Sequence, residues 1–358
     1  MKDHILRENI FISNYILIIM DYKSKYLKYK AKYMYQKSIM DDGSLLQTGG
    51  FIDMLPKDLR VLLTSYLSEE DIKNLRLSLR SGQPNALLIP LIATHEFSYF
   101  NLKNLMQNEE FQPYAKYVRK VIDVTDLDIL KKLPNVRYMS FHPGFNQPLN
   151  PGVLPDLLTY LDMKESFNQP LNPGVLPQSL TRLNIKDGFN QPLNPGVLPN
   201  SLTRLDIAGS FNQPLNPGVL PNSLTHLSIL GDFNQPLNRG VLPNSLKFLR
   251  IGGEFNQPLN PGVLPNSLIY MDIAGKFNQP LNPGVLPNSL KHLDIRGRDF
   301  NKPLKPGVLP NSLKFLYIGY GFNQPLMPNI LPPSLQYLKI PRTYNMPLPP
   351  VKRIIRYE

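Results

Sequence analysis

Apolar residues in the C-terminal two thirds of this chain follow the spacing L-x-x-L-x-I, and the pattern returns every 22 residues. Leu202, Leu205 and Ile207 form one copy, and Leu290, Leu293 and Ile295 another. The last two positions of each copy lie two apart, the alternation of a half-buried strand. A Phe opens the unit at 145, 167, 189, 211, 233, 255 and 277, then at 300 and 322, with Tyr344 in the last place. One extra residue therefore sits within Arg296–Asp299. A unit this short cannot bury its apolar face alone, so the units must stack, and the period predicts a solenoid over 136–348. Its strands are expected near Leu161, Leu183, Leu205, Leu227, Leu249, Met271, Leu293, Leu316 and Leu338. At ~4.8 Å per strand the resulting parallel sheet is roughly 45 Å long.

Each coil has further regular positions. Val219 and Leu220 are placed to fill the core from the returning side, and Pro217-Gly218 marks a turn. Repeated prolines exclude a helix there, so the convex side is expected to be irregular or extended. Phe211 and its equivalents predict an aromatic spine. Asn212 and its equivalents sit at a bend, where stacked side chains can satisfy turn N–H and C=O groups. Val136, Met139 and Phe141 read as a degraded first strand.

The chain before the repeats has a different pattern. Tyr22, Tyr26, Tyr29 and Tyr33 share one helix face among lysines. Residues 38–50 read as a linker, closing an N-terminal segment 1–50. From Pro56 onward, Leu59, Leu62, Leu63, Tyr66 and Leu67 make one amphipathic stripe, and Ile72, Leu75 and Leu79 a second, with Ser68 as N-cap between them. Residues 96–135 read as a junction, with a strand within 117–124 and a short helix over 127–133 that ends before Pro134. Residues 349–358 form a basic tail.

Composition narrows the function classes. The 37 prolines would suggest disorder if scattered, but here they recur at fixed intervals. There is no Cys, which removes disulfides, Cys-based metal sites and a thiol nucleophile. The five histidines are dispersed without metal-ligand spacing, and no phosphate loop, nucleophile elbow or paired-acid motif occurs. The expectation is a non-enzyme without cofactor. The net charge is +12, and residues 1–40 contribute eight Lys/Arg against three Asp/Glu. The apolar run Ile10–Met20 is too short to span a bilayer, and no small-residue cleavage site follows it, so no membrane partner is expected.

If the pattern leucines face inward, the residues between them face out. One outward column reads Tyr160, Arg182, Arg204, His226, Phe248, Tyr270, His292, Phe315 and Tyr337. Every member is aromatic or basic, while the repeats around it are near-copies. The neighbouring column reads Asp162, Asn184, Asp206, Ser228, Arg250, Asp272, Asp294, Tyr317 and Lys339. Exposed Tyr, Phe and Arg are favoured interface anchors, so the first column is the candidate target-binding face. Large side chains stacked to cover the sheet would give the same column, with pairs such as Arg204 and Asp206 lying at the surface.

Two resemblances to known families rest on these residues. The FNQPL-bearing unit resembles the FNIP repeat, a leucine-rich-type repeat, over about 200 residues. The segment 51–95 resembles an F-box: its Leu-Pro pair is Leu55 and Pro56, its helix positions are Leu59, Leu63, Tyr66 and Leu67, and Asp71, Ile72, Leu75 and Arg76 follow in register. It departs from the family in having no Trp after the final Arg. Proteins combining the two are known from social amoebae and giant DNA viruses. The Lys/Tyr-rich segment also resembles giant-virus N-termini, which implies Met20 as an alternative start.

These resemblances imply a leucine-rich-repeat-like β-solenoid preceded by a small α-helical F-box domain. They further imply a substrate adaptor whose F-box docks a Skp-type adaptor of a cullin ubiquitin ligase, with contacts at Leu55, Pro56, Leu59, Leu63 and Leu67. The solenoid would then hold a target protein, in the cytoplasm, that of the host cell if the source is viral. Two alternatives stay open: a nucleic-acid binder using the basic and aromatic sheet face with the Lys/Tyr helix, and a plain scaffold without a ubiquitin link.

Overall fold

A computed structural model describes residues 96–357 apart from 99, 101, 104, 105 and 108–111. All belong to the second of the chain's two structural units, Pro56–Glu358. The Lys/Tyr segment and the F-box match, with Leu55, Pro56, Leu59, Leu63 and Leu67, lie outside the described residues.

The described chain forms one sheet of thirteen parallel strands laid down in chain order. They are β1 (Glu96–Ser98), β2 (Lys120–Val124), β3 (Tyr138–Phe141), β4 (Tyr160–Met163), β5 (Arg182–Ile185), β6 (Arg204–Ile207) and β7 (His226–Ile229). They continue as β8 (Phe248–Ile251), β9 (Tyr270–Ile273), β10 (His292–Ile295), β11 (Phe315–Ile318), β12 (Tyr337–Pro341) and β13 (Arg353–Tyr357). Each strand pairs with its sequence neighbours, and Leu205 faces Leu183 on one side and Leu227 on the other. The sheet is longer at both ends than the repeats. β1 and β2 precede the first repeat, separated from each other by a 3-10 turn (Gln112–Tyr117), with a second such turn (Asp128–Lys132) before β3. Within the basic segment 349–358, Arg353–Tyr357 form β13 and pair with β12.

Within a coil the second and fourth strand residues point into the core, as Leu205 and Ile207 do. Leu202, Phe211, Leu215, Val219 and Leu220 complete the filling, none more than 4% exposed. The Phe rings form the expected spine: Phe211 stacks between Phe189 and Phe233, with centroids 6.1 and 6.0 Å away. The stack continues to Phe322 and ends on Tyr344, whose hydroxyl donates to the Gln324 carbonyl at 3.0 Å.

Polar groups are satisfied by ladders running along the solenoid. The Asn212 N–H donates to Asn190 Oδ1 at 3.0 Å, and Asn212 Oδ1 in turn accepts from the Asn234 N–H and the Gln235 side chain. Ser223 donates to the Leu202 carbonyl at 2.7 Å, and Thr203 to the Thr181 carbonyl at 3.1 Å. Every coil thus connects its backbone to the previous one outside the sheet as well, which permits a convex side without helix. The Pro217-Gly218 turn closes through Val219 N–H to Asn216 C=O, with Gly218 at φ 85°. A second glycine column lies after the strands. Gly231 has φ 88°, and its Cα packs so closely on the Gly209 backbone that a Cβ would collide with it.

The extra residue in Arg296–Asp299 is absorbed between Ile295 and Phe300. Strand register is kept, His292 facing Phe315, and Phe277 and Phe300 still stack at 6.0 Å.

Candidate interaction surface

Parallel in-register pairing aligns the first residue of every strand. Tyr160, Arg182, Arg204, His226, Phe248, Tyr270, His292, Phe315 and Tyr337 therefore form one continuous column. The column extends to Tyr138 on β3 and Arg353 on β13, both missed by sequence reasoning. Tyr138 lies 22 residues before Tyr160, so period counting alone could have found it. The β13 coil carries no Phe-Asn signature and is shorter, so nothing in the repeat pattern reaches Arg353.

The column members pack on one another. His226 stacks on Phe248 at 4.3 Å, His292 on Phe315 at 5.3 Å and Phe315 on Tyr337 at 4.8 Å, while Tyr270 lies tilted between Phe248 and His292. Arg353 covers the far face of Tyr337. At the other end Tyr138 and Tyr160 stack at 4.5 Å. The rings cover the sheet by stacking, and Phe248 and Phe315 remain 38% and 36% exposed.

The neighbouring column departs from a simple outward face. Asp162, Asp272 and Asp294 are buried, at 5%, 1% and 6% exposure. Long basic side chains from the same and adjacent coils cover them. Lys164 and Lys186 approach Asp162 at 3.0 and 3.6 Å, and Arg250 meets Asp272 at 3.2 Å. Arg296 also pairs with Asp272. The Tyr270 hydroxyl donates to Asp294 Oδ2 at 2.9 Å. His292 Nε2 lies 2.8 Å from Asp294 Oδ1 and must carry the proton there, since a carboxylate only accepts. Arg204 and Asp206 pair along their own strand at 2.7 Å, the surface pair expected.

These contacts set the titration of the face. Burial, then the Asp162 charge, pushes the Tyr160 hydroxyl up to about 12. Burial, then Asp294, drives Tyr270 up as well. His226 is held below the ordinary imidazole value by burial first and by the Arg204 charge second. Arg296 is raised chiefly by its hydrogen bond to Asp272. The arrangement offers contact area and charge.

Among the described residues no group of three or more His, Asp or Glu side chains is placed to hold a metal ion. No helix among them is long and apolar enough to cross a membrane.

No curated protein matches the chain. Among solved structures it is similar to CroV588 of the giant virus CroV, described as a novel circular LRR protein structure. The TM-score is 0.63 and the sequence identity 42%, over 67% of this chain and 36% of CroV588. The chain thus matches only about a third of that protein's length. The profile of the FNIP Repeat matches residues 134–166, 145–188, 189–232, 233–276, 277–321 and 322–350. With more than half of its length accounted for by that repeat, and its Phe spine and Asn ladder built from the signature residues, the chain belongs to the FNIP repeat family.

Proposed function

We propose that this protein is a protein-interaction scaffold that works as a substrate adaptor. The observation that carries the reading is the first-residue column. Repeats that are otherwise near-copies vary there among Tyr, Phe, His and Arg, the side chains that anchor interfaces, on a sheet braced by side-chain ladders between coils. The solenoid holds a target protein along Tyr160, Arg182, Arg204, His226, Phe248, Tyr270, His292, Phe315 and Tyr337. The F-box-like segment docks a Skp-type adaptor of a cullin ligase through Leu55, Pro56, Leu59, Leu63 and Leu67. The chain contributes no chemistry of its own; it raises the effective concentration of the target beside the ubiquitin-charged enzyme, in the cytoplasm.

Two measurements test the halves separately. The full chain should capture a purified Skp-type adaptor, and Leu55→Ala with Pro56→Ala should abolish capture. Phe248→Ala, Tyr270→Ala and Phe315→Ala together should leave adaptor capture intact and release the proteins that co-purify with the solenoid. A full chain that captures no adaptor leaves a scaffold without a ubiquitin link. If the triple change has no effect on co-purifying proteins, the sheet face is not the binding surface.

A further inference from the structure

The register that aligns the strands also aligns the residue just before each one, through bonds such as Thr203 N–H to Thr181 C=O and Lys247 N–H to Thr225 C=O. From β2 to β13 this preceding column contains Arg119, Arg137, Lys247, Lys291, Lys314 and Lys352. The adjoining first-residue column adds Lys120, Arg182, Arg204 and Arg353. Neither column contains an Asp or Glu across those strands. All but Arg119 of these cations are exposed. From β3 to β13 the strand acids are all in the next column, and each is already engaged: Asp162 by two lysines, Asp206 by Arg204, Asp272 by two arginines, and Asp294 by Tyr270 and His292. Of the cations in the stripe only Arg204 has an ion-pair partner among the described residues. Arg204 apart, the stripe is therefore a line of positive charge without ion-pair partners among the described residues, beside a line of aromatic edges.

The same field acts on two ionisable groups. Arg119 is pulled below its ordinary value by burial and then by Arg137. His226 is lowered first by burial and then by Arg204, with Arg182 and Lys247 adding to the effect and Asp206 opposing it.

We propose that the stripe binds an acidic, extended segment of a partner protein, lying along the solenoid axis across the strands. The proposal rests on the protein-interaction reading of this face and names the chemistry of the partner. From the β2 coil to the β13 coil the stripe runs roughly 50 Å at ~4.8 Å per coil, the reach of about 16 extended residues. Aromatic rings carry a negative face and a positive edge. Here the faces of His226, Phe248, Tyr270, His292, Phe315 and Tyr337 are spent on each other, and the edges point outward, where carboxylate and carbonyl oxygens are the favoured neighbours. The same stacking disfavours single-stranded nucleic acid, whose bases need open ring faces.

The test uses the full chain and three labelled probes: a 16-residue alternating Glu/Thr peptide, its Lys/Thr counterpart, and a 16-nucleotide oligothymidine. Fluorescence anisotropy at about 50 and about 200 mM salt reads binding. The Glu/Thr peptide should bind, more weakly at the higher salt, and the Lys/Thr peptide should not. Lys247→Glu, Lys291→Glu and Lys314→Glu together should weaken the Glu/Thr peptide by about tenfold or more with an unchanged melting temperature. Arg137→Glu with Lys352→Glu, at other coils, should weaken it as well, which covers the case that the triple variant misfolds. No binding of the Glu/Thr peptide, or binding by both charge-reversed variants as tight as by the parent, overturns the proposal. Tighter binding of the oligothymidine than of the peptide overturns it in favour of a nucleic-acid interface. If co-purifying proteins are lost with the ring-to-alanine variant but kept with the charge-reversed ones, the face is a protein site without acid preference, and only the present inference falls.

Discussion

Phe211→Ala removes a ring that is fully buried and stacked on two others, Phe189 at 6.1 Å and Phe233 at 6.0 Å. Large-to-small changes of this kind cost about 3–5 kcal/mol, the lost transfer energy plus the cavity that the surroundings fail to fill. The upper half of that range is expected here. The neighbouring rings are held by their own coils, and the Asn and Ser ladders fix the coil spacing, so collapse into the void is resisted. Phe211→Leu keeps much of the volume and should cost only about 1–2 kcal/mol. With a urea slope of about 2–3 kcal/mol per molar, the alanine variant loses roughly 1–2 M in midpoint. Urea unfolding followed by far-ultraviolet circular dichroism measures this, and tyrosine emission serves as a second probe because the chain has no Trp. A solenoid coil contacts only its neighbours, so hydrogen exchange should quicken most near 189–233 and least near β12. A Phe211→Ala midpoint within a few tenths of a molar of the parent would refute the spine as the main source of cohesion.

Further outcomes follow from the ladders and the charged face. Gly231→Ala should destabilise far more than Gly218→Ala: a Cβ at Gly231 meets the Gly209 backbone, whereas at Gly218 it meets nothing within 4 Å and costs only about 1 kcal/mol for its positive φ; thermal melts of the two variants compare them. Asn212→Ala should cost about 1–3 kcal/mol, because the Asn234 N–H loses its acceptor and the Gln235 amide keeps only the Asn212 backbone carbonyl, and urea midpoints again report it. His226 should titrate below 6.5 by NMR, and Arg204→Ala should raise its pKa. Since folding lowers this pKa, the stability it contributes is complete above about pH 6.5 and falls as pH drops through the folded value; His226→Gln should flatten that part of the pH–stability curve.

The solenoid was legible because its determinants are local and periodic. The L-x-x-L-x-I spacing placed each strand from β4 to β12 around its central apolar residue, and the invariant Phe and Asn announced the spine and the ladder. β2 was legible as a strand within 117–124, but neither it nor β1 and β13 was legible as a coil: they reach the sheet through loops of other lengths, lacking the Phe-Asn signature that marks the fixed register. For the candidate surface, alternation identified the first-residue column, because that side chain can only point away from the core. It misled for Asp162, Asp272 and Asp294. Alternation says which side of the sheet a residue occupies, but not whether a neighbouring Lys or Arg folds over it. Thr203 shows the same gap on a smaller scale: it is exposed, yet its hydroxyl donates to the coil before it.

A chain of near-copies faces an ambiguity that ordinary domains do not. Any coil could in principle sit on any other, leaving one unit looped out, since the Phe, Asn, Leu and Pro positions fit equally well after a shift of 22. The charged contacts between coils break that equivalence. Arg250 finds Asp272 only in the coil directly after its own, and the Tyr270 hydroxyl reaches Asp294 across a single step. Skipping the β9 coil would set Arg250 beside Asp294, strand Asp272, and remove the acceptor side of a pairing that Arg296 shares. The inserted residue in Arg296–Asp299 adds a further mark, since the shift across it is 23 rather than 22. The variable positions on the sheet thus act as addresses, telling each copy which copy comes next.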